Sequence, residues 1–317
     1  MQFETVGGAE APGTSGRRSL WEDEGSRFGS PESTTIRLYV HLFCAACMGA
    51  FVIWGIVADP PVKGFFCNDT SIRYPLKEET VPANLATIIV IGVPVIIFVA
   101  VELLHAFVID RSSLTSTQLM CFSVPKMLID MYLVVGGFAF GLLVNFALAN
   151  VAKLCIGRLR PHFLAVCQPN WNALQCTDMT GDLYINSYEC RGTDLAAIKE
   201  ARLSFFSAHS SNSSCAMIYT LIYLQYRLST SYCGPLISSL RQRQRSNSKA
   251  KWAWDAATAL RPFMQAVLLI LCLFIALSRV MDFFHHPTDV LTGLFVGTVI
   301  AFYSAFYVSK LHLLGRF

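Results

Sequence analysis

Charge is what this 317-residue chain is short of. Only 15% of its residues are Asp, Glu, Lys or Arg, against about 25% in an average soluble domain. That deficit argues against an ordinary soluble globular protein. A concentrated basic face is missing too. The formal net charge is only +4, which argues against a nucleic-acid binder. The first thirty-five residues contain no apolar run, so no cleavable signal peptide is expected there. Residues 1–35 are instead polar, rich in Gly, Ser and Glu, and read as a disordered tail.

What the chain has in abundance is apolar sequence. Hydrophobic residues make up 54% and the mean hydropathy is +0.47. The expected fold class is all-α, a polytopic membrane protein with six transmembrane helices in a domain of about 36–310. The apolar runs place them at about 38–58, 84–108, 126–152, 206–227, 262–280 and 288–309. Each is near the roughly 20 residues that cross a bilayer core. The fourth, FFSAHSSNSSCAMIYTLIYL, is the weakest because its first half is Ser-rich. Six spans put both termini on one side. Lys and Arg number fifteen on that side and ten on the other. The basic loop of about 228–261, the N-terminal tail and the short 311–317 tail are therefore expected in the cytosol. The loops of about 59–83 and 153–205 then face outside or into a lumen.

Cysteine usage agrees. Four of the eleven cysteines, Cys67, Cys167, Cys176 and Cys190, fall in the two outer loops. In an oxidising space they suggest two disulfides, with three pairings open. Asn68-Asp-Thr is a glycosylation sequon in the first outer loop. Asn212-Ser-Ser is a second sequon, but it lies within the fourth span.

The topology brings three distant clusters to one membrane face. The third helix ends into KLCIGRLRP, with Lys153, Arg158 and Arg160. The fourth begins with SFFSAHSS, with Ser207 and His209. The fifth ends at Ser278-Arg279, and the sixth follows His285-His286 in SRVMDFFHHPTDVLTG. Cations, histidines and the carboxylate of Asp289 at one depth describe an anion site with acid/base equipment. Phosphoryl transfer fits, because it needs preplaced cations around three charged oxygens. Helix starts add backbone N–H donors. One histidine can serve as nucleophile and another as acid for the leaving alcohol.

These same residues resemble a known family. KLCIGRLRP fits the K-x6-RP signature of the type 2 phosphatidic acid phosphatase superfamily. SAH fits its middle signature, usually PSGH, and SRVMDFFHHPTD fits SR-x5-H-x3-D. GFFCNDTSIRYPLKEETVP, GRLRPHFLAVCQPNW and EARLSFFSAHSS are similar to the animal lipid phosphate phosphatases in particular. The likeness covers roughly 38 to 310. It implies that Lys153, Arg160 and Arg279 bind the phosphate, with Ser207 and the backbone of Ala208 as further donors. It implies His285 as nucleophile, oriented by Asp289, and His209 as the acid. His286, Arg158, Asp282 and Ser278 are neighbours without an assigned role. No metal or other cofactor is implied. The expected activity is removal of phosphate from phosphatidate, lysophosphatidate, sphingosine 1-phosphate or ceramide 1-phosphate in the membrane. The plasma membrane is the expected location, with an endomembrane as the alternative, and a homo-oligomer is left open.

Ala208 departs from the family's glycine. A catalytically weak or silent relative that binds lipid phosphates is the alternative it raises. A transporter is disfavoured, because its polar residues belong near the midplane rather than at one face. His285, His286 and Asp289 could form a metal site, but the surrounding cations would repel a metal. Glu102 and Asp130, within spans, are expected to be partnered structural acids.

Overall fold

The computed structural model describes residues 31–106, 116–119, 122–174, 176, 183–228 and 248–313. The chain divides into two compact units, 1–43 and 44–317. The described residues of the first are the opening turns of a helix. Most of the expected tail, the centre of the basic loop at 229–247 and residues 314–317 lie outside the described residues.

Eight α-helices are described: α1 (Pro31–Val57), α2 (Ala83–Leu104), α3 (Lys126–Ile156), α4 (Phe163–Cys167), α5 (Leu195–Glu200), α6 (Ala208–Arg227), α7 (Ser248–Met281) and α8 (Pro287–Tyr303). The all-α reading needs one small correction. Two short antiparallel pairs are present, β1 (Phe65–Phe66) with β4 (Tyr184–Ile185) and β2 (Ser116–Leu119) with β3 (Phe122–Pro125).

Several boundaries also differ from expectation. Helix α1 starts at Pro31, so 31–35 are helical rather than tail. Helix α7 starts at Ser248, so the expected 228–261 loop loses its last fourteen positions to helix. SKAKWAWDAATALRP is rich in good helix formers, and Pro262 is held inside the helix instead of starting it. Helix α3 continues to Ile156 and so carries Lys153. Gly157 ends it with φ 55°, donating its N–H to Lys153 O at 2.9 Å. A left-handed C-terminal residue is glycine's usual place. A Cβ there would also stand 2.8 Å from the Pro61 ring.

Among the described residues, four helices are long and apolar enough to cross a membrane: Ala83–Leu104, Met127–Ile156, Trp252–Met281 and Pro287–Val308. They mark the chain as a membrane protein. Their outward positions are apolar, as with Ile88, Ile96, Phe263, Ile270, Leu291 and Phe295, all exposed.

Helix α6 is the exception that organises the bundle. It packs against α2, α3, α7 and α8. Ser210, Ser211, Ser213 and Ser214 are all buried. Their small side chains let α8 approach closely through two glycines. A Cβ on Gly293 would fall 2.7 Å from Ser207 O, and one on Gly297 would fall 2.1 Å from Ser211 O. Small residues at helix contacts are the membrane solution to close packing. The low hydropathy of this helix follows, because protein rather than lipid surrounds it.

On the site side of the bundle the loops build their own cap. Phe65, Ile72, Leu159, Phe163, Leu164, Cys167 and Ala201 form a second core. Of the three pairings left open, the structure forms Cys67–Cys176 and Cys167–Cys190. The first joins the two loops to one another.

Candidate active site

The last turn of α3, the start of α6, the end of α7 and the turn before α8 converge on one cavity of about 460 Å³. Lys153, Arg160, Ala208, His209, Arg279 and His285 all line it. Six of the expected residues are thus brought together from four segments.

Both arginines are almost fully buried, Arg160 at 6% and Arg279 at 1% exposure. The turn after Gly157 delivers Arg160, whose N–H bonds Ala201 O at 2.8 Å. Its Nη2 lies 2.5 Å from Glu200 Oε2. Arg279 Nη1 lies 3.0 Å from Glu79 Oε2 and 3.2 Å from Val81 O. Phe284 packs under both guanidinium groups, 4.4 Å from that of Arg279. The Nε atoms of Arg160 and Arg279 and the Nε2 of His209 are buried without hydrogen-bond partners. Buried donors are rarely left unsatisfied. The two arginine Nε–H donors beside one cavity point to an anion that completes them.

The turn that carries the histidines is held tightly. Phe283 takes φ 63°, and the N–H groups of Phe284 and His285 both reach Arg279 O, at 3.0 and 3.1 Å. Asp282 ties this turn to the loop before α2, accepting from Thr80 N and Thr80 Oγ1 at 2.8 Å each.

His285 is buried, with Nδ1 2.8 Å from Ser204 O. A carbonyl only accepts, so Nδ1 bears the proton. The neutral ring therefore keeps its lone pair on Nε2. Burial holds the His285 pKa well below its ordinary value, and Arg160, Lys153 and Arg279 push the same way, while Asp289 opposes them. The resting imidazole is therefore the neutral, nucleophilic form.

Asp289 is placed differently from the expected direct partnership. Its Oδ2 is 3.8 Å from His285 Nδ1. Its closer contacts are Arg158 Nη1 at 2.6 Å, Ser204 Oγ at 2.6 Å and the His286 N–H at 3.1 Å. Ser204 thus stands between carboxylate and imidazole. It was not singled out in the sequence, and no motif position marks it. His286 turns elsewhere, with Nε2 3.0 Å from Leu159 O, and lines a separate cavity with Arg158. The two adjacent histidines therefore do not converge on a common ligand.

Ser207 is fully buried and does not line the cavity. Its hydroxyl caps α6, accepting from Ser210 N at 3.4 Å and Ser210 Oγ at 3.0 Å. Ala208 opens α6 beside the cavity. Among described non-glycine residues, positive φ occurs at Gln168, Phe283 and Lys310, not at Ala208. The backbone there makes no demand for glycine.

Three lining residues were missed by sequence reasoning: His162, Glu79 and Glu200. His162 directly follows the Arg-Pro of the first motif, a signal that could have been used. Its Nδ1 bonds Phe283 O at 2.9 Å, and burial lowers its pKa to about 4. Glu79 stands in a loop and Glu200 ends the short helix α5, neither with a distinguishing spacing. Arg160 is the strongest influence holding the Glu200 carboxyl below its usual range, against the opposing effect of burial.

A family model described as PAP2 superfamily matches residues 134–312. Phospholipid phosphatase 1 of Rattus norvegicus is 36% identical over 82% of this chain and 79% of its own length. Phospholipid phosphatase 2 of Mus musculus is 35% identical over 82% of this chain and 80% of its own. A putative phosphatidate phosphatase of Drosophila melanogaster is 32% identical over 87% and 69%. No solved structure matches. With all three signatures gathered on one cavity and relatives matching over most of their length, the chain belongs to the PAP2 superfamily.

Proposed function

We propose that this protein is an integral membrane phosphatase that hydrolyses lipid phosphate monoesters through a phosphohistidine, without a metal. The observation that carries the reading is the cavity where three cations meet His209 and His285. Lys153, Arg160 and Arg279 would neutralise the phosphate and fix its orientation. Nε2 of His285 attacks phosphorus as the ester P–O bond breaks. His209 protonates the departing alkoxide; the bound dianion favours its protonated form. Water, deprotonated by His209, then attacks the phosphohistidine and releases inorganic phosphate. Asp289 stabilises the charged His285 ring through Ser204.

A lipid substrate is supported by the cavity's second half. Ala83, Ala86, Val90 and Ile91 of α2 and Phe146 of α3 extend an apolar lining away from the cations. The relatives' names point to phospholipids. Phosphatidate, lysophosphatidate, sphingosine 1-phosphate and ceramide 1-phosphate are the proposed substrates. In this reading α1 and α6 also span, giving six. The site faces outward or into a lumen, both termini are cytosolic, and the plasma membrane is the expected home. Asn68, exposed beside the disulfide-linked loops, would carry the glycan.

The silent-relative alternative rested on Ala208, and the ordinary backbone there favours activity. The test is phosphate release from short-chain phosphatidate by purified protein with EDTA present. Turnover is expected. Turnover that needs added divalent metal would overturn the mechanism, and none on any lipid phosphate would overturn the reading.

A further inference from the structure

The cavity holds more charge than phosphate binding needs. Glu79 and Glu200, from two different outer segments, both line it and both clamp its arginines. Three cations face two carboxylates. A phosphate monoester near neutral pH carries roughly two negative charges. The two glutamates therefore supply about the charge that the substrate would bring.

The two sides of these pairs differ in freedom. The side chains of Arg279 and Arg160 are 2% and 7% exposed, whereas those of Glu79 and Glu200 are 31% and 57% exposed. The arginines are also pinned on Phe284. Thr80, next to Glu79, is anchored on Asp282. The backbone is thus held while the carboxylate can turn to water. Keeping both carboxylates on the arginines beside a bound dianion would leave like charges in contact.

A buried trio of cations raises a second difficulty, that of letting go. Inorganic phosphate, the product, offers those cations as much charge as the substrate did. Interactions equally strong with product and transition state hold the product without speeding the chemistry. We infer that Glu79 and Glu200 are built-in competitors of the phosphate group, displaced when substrate enters and returning to Arg279 and Arg160 to expel inorganic phosphate. They are positioning residues: they act through the arginines and form no bond to the reacting atoms. The inference rests on the cavity being a phosphate site.

The test is calorimetric binding of inorganic phosphate to the purified full chain in detergent, at fixed pH and ionic strength. Glu79→Gln and Glu200→Gln keep size and hydrogen bonding but remove the competing charge. Each should tighten phosphate binding about tenfold, since close charge pairs in protected sites couple by at least that factor. Phosphate inhibition of turnover should strengthen in parallel. Glu78→Gln, an exposed neighbour outside the cavity, should change neither. Glu200 is the more exposed of the pair, so its variant reports even where Glu79→Gln perturbs the loop. Unchanged or weaker phosphate binding in the glutamine variants would overturn the inference and leave the glutamates as loop braces. Failure of the natural protein and every variant to bind phosphate would instead overturn the phosphate reading of the cavity, and the inference with it.

Discussion

Two buried charge clusters lie at opposite ends of α6, and they are built to opposite rules. At its end, Arg227 contacts Glu102 at 2.5 Å and Asp130 at 3.4 Å, and Tyr223 donates to Glu102 at 2.8 Å. The side chains of Arg227 and Glu102 are 4% and 2% exposed. Among the described residues, two carboxylates meet one arginine here, with little access to water. At its start, cations outnumber carboxylates, and the carboxylates are the exposed partners. A buried charge matched by buried charge holds structure together; a buried charge matched by a movable one leaves room for a ligand. Residue type does not separate the two cases, because each is an arginine–glutamate pair.

The largest effect should come at the start of α6. His285→Ala should lower turnover by at least about a thousandfold and abolish phosphoenzyme, measured by trapping labelled phosphate. His286→Ala should leave much of both, because its ring faces Leu159 and another cavity. Label retained in His285→Ala and lost in His286→Ala would reverse the assignment.

The arginines provide the sharpest contrast. Arg279→Ala should cost at least about a hundredfold in rate and little stability, because Glu79 can turn to water. Arg227→Ala strands Glu102 in the interior and should cost about 3–5 kcal/mol of stability. Activity and detergent-resistant melting, measured on both variants, separate the two. Loss of activity alone in Arg227→Ala would break the division.

Arg158 tests how far the active cluster extends. It is the ion-pair partner of Asp289, and Arg158→Gln should reduce kcat about tenfold with KM little changed. An unaltered kcat would mean that Ser204 alone holds the carboxylate in place.

Much of this contrast was legible in the chain. Lys153, Arg160, His209, Arg279 and His285 could be gathered because each lies at a helix end, where spacing and topology fix depth. Glu102 and Asp130 could be read as partnered, because acids within spans need partners. Their partner Arg227 was not found, since a basic residue at the cytosolic end of a span looks like part of the basic loop. Glu79, Glu200 and Ser204 were not legible either. Glu79 and Ser204 sit in irregular segments and Glu200 at the end of a six-residue helix, positioned by contacts such as Thr80 with Asp282 that no periodicity announces. The start of α7 was placed late because SKAKWAWDAATALR is too polar to read as part of a span. The disulfide pairing stayed open because counting cysteines does not fold the loops that bring them together.

Acid should weaken the site's cap. His162 is held down to about 4 and His285 well below its usual 6.5, both chiefly by burial. The unfolded chain takes up protons at these positions as pH falls through about 6.5; the folded chain does not until its lowered values are reached. Their contribution is therefore present above about 6.5 and is lost progressively as pH falls from there towards 4. Melting temperature should decline across that window. His162→Gln should flatten the decline, and an unchanged slope would remove His162 from the account.

The smallest effect is expected at Ala208. It lies at the first position of α6, with Ser207 as the cap and His209 beyond it. Its methyl group stands at the cavity wall, so glycine would widen that wall slightly and could bring the phosphate nearer the backbone. A shift of about 1 Å can change rates on the order of a hundredfold. Here, however, the φ is unexceptional, and the cations, His209 and His285 are set by other elements. Ala208→Gly should therefore raise the rate less than about tenfold or leave it unchanged. The reason is local: the first helical N–H is free of intrahelical bonding with either residue. Steady-state rates on short-chain phosphatidate would check this. A natural protein without turnover beside an active Ala208→Gly would show that one methyl group silences the site, and the comparison would then favour a binding role for the chain as it stands.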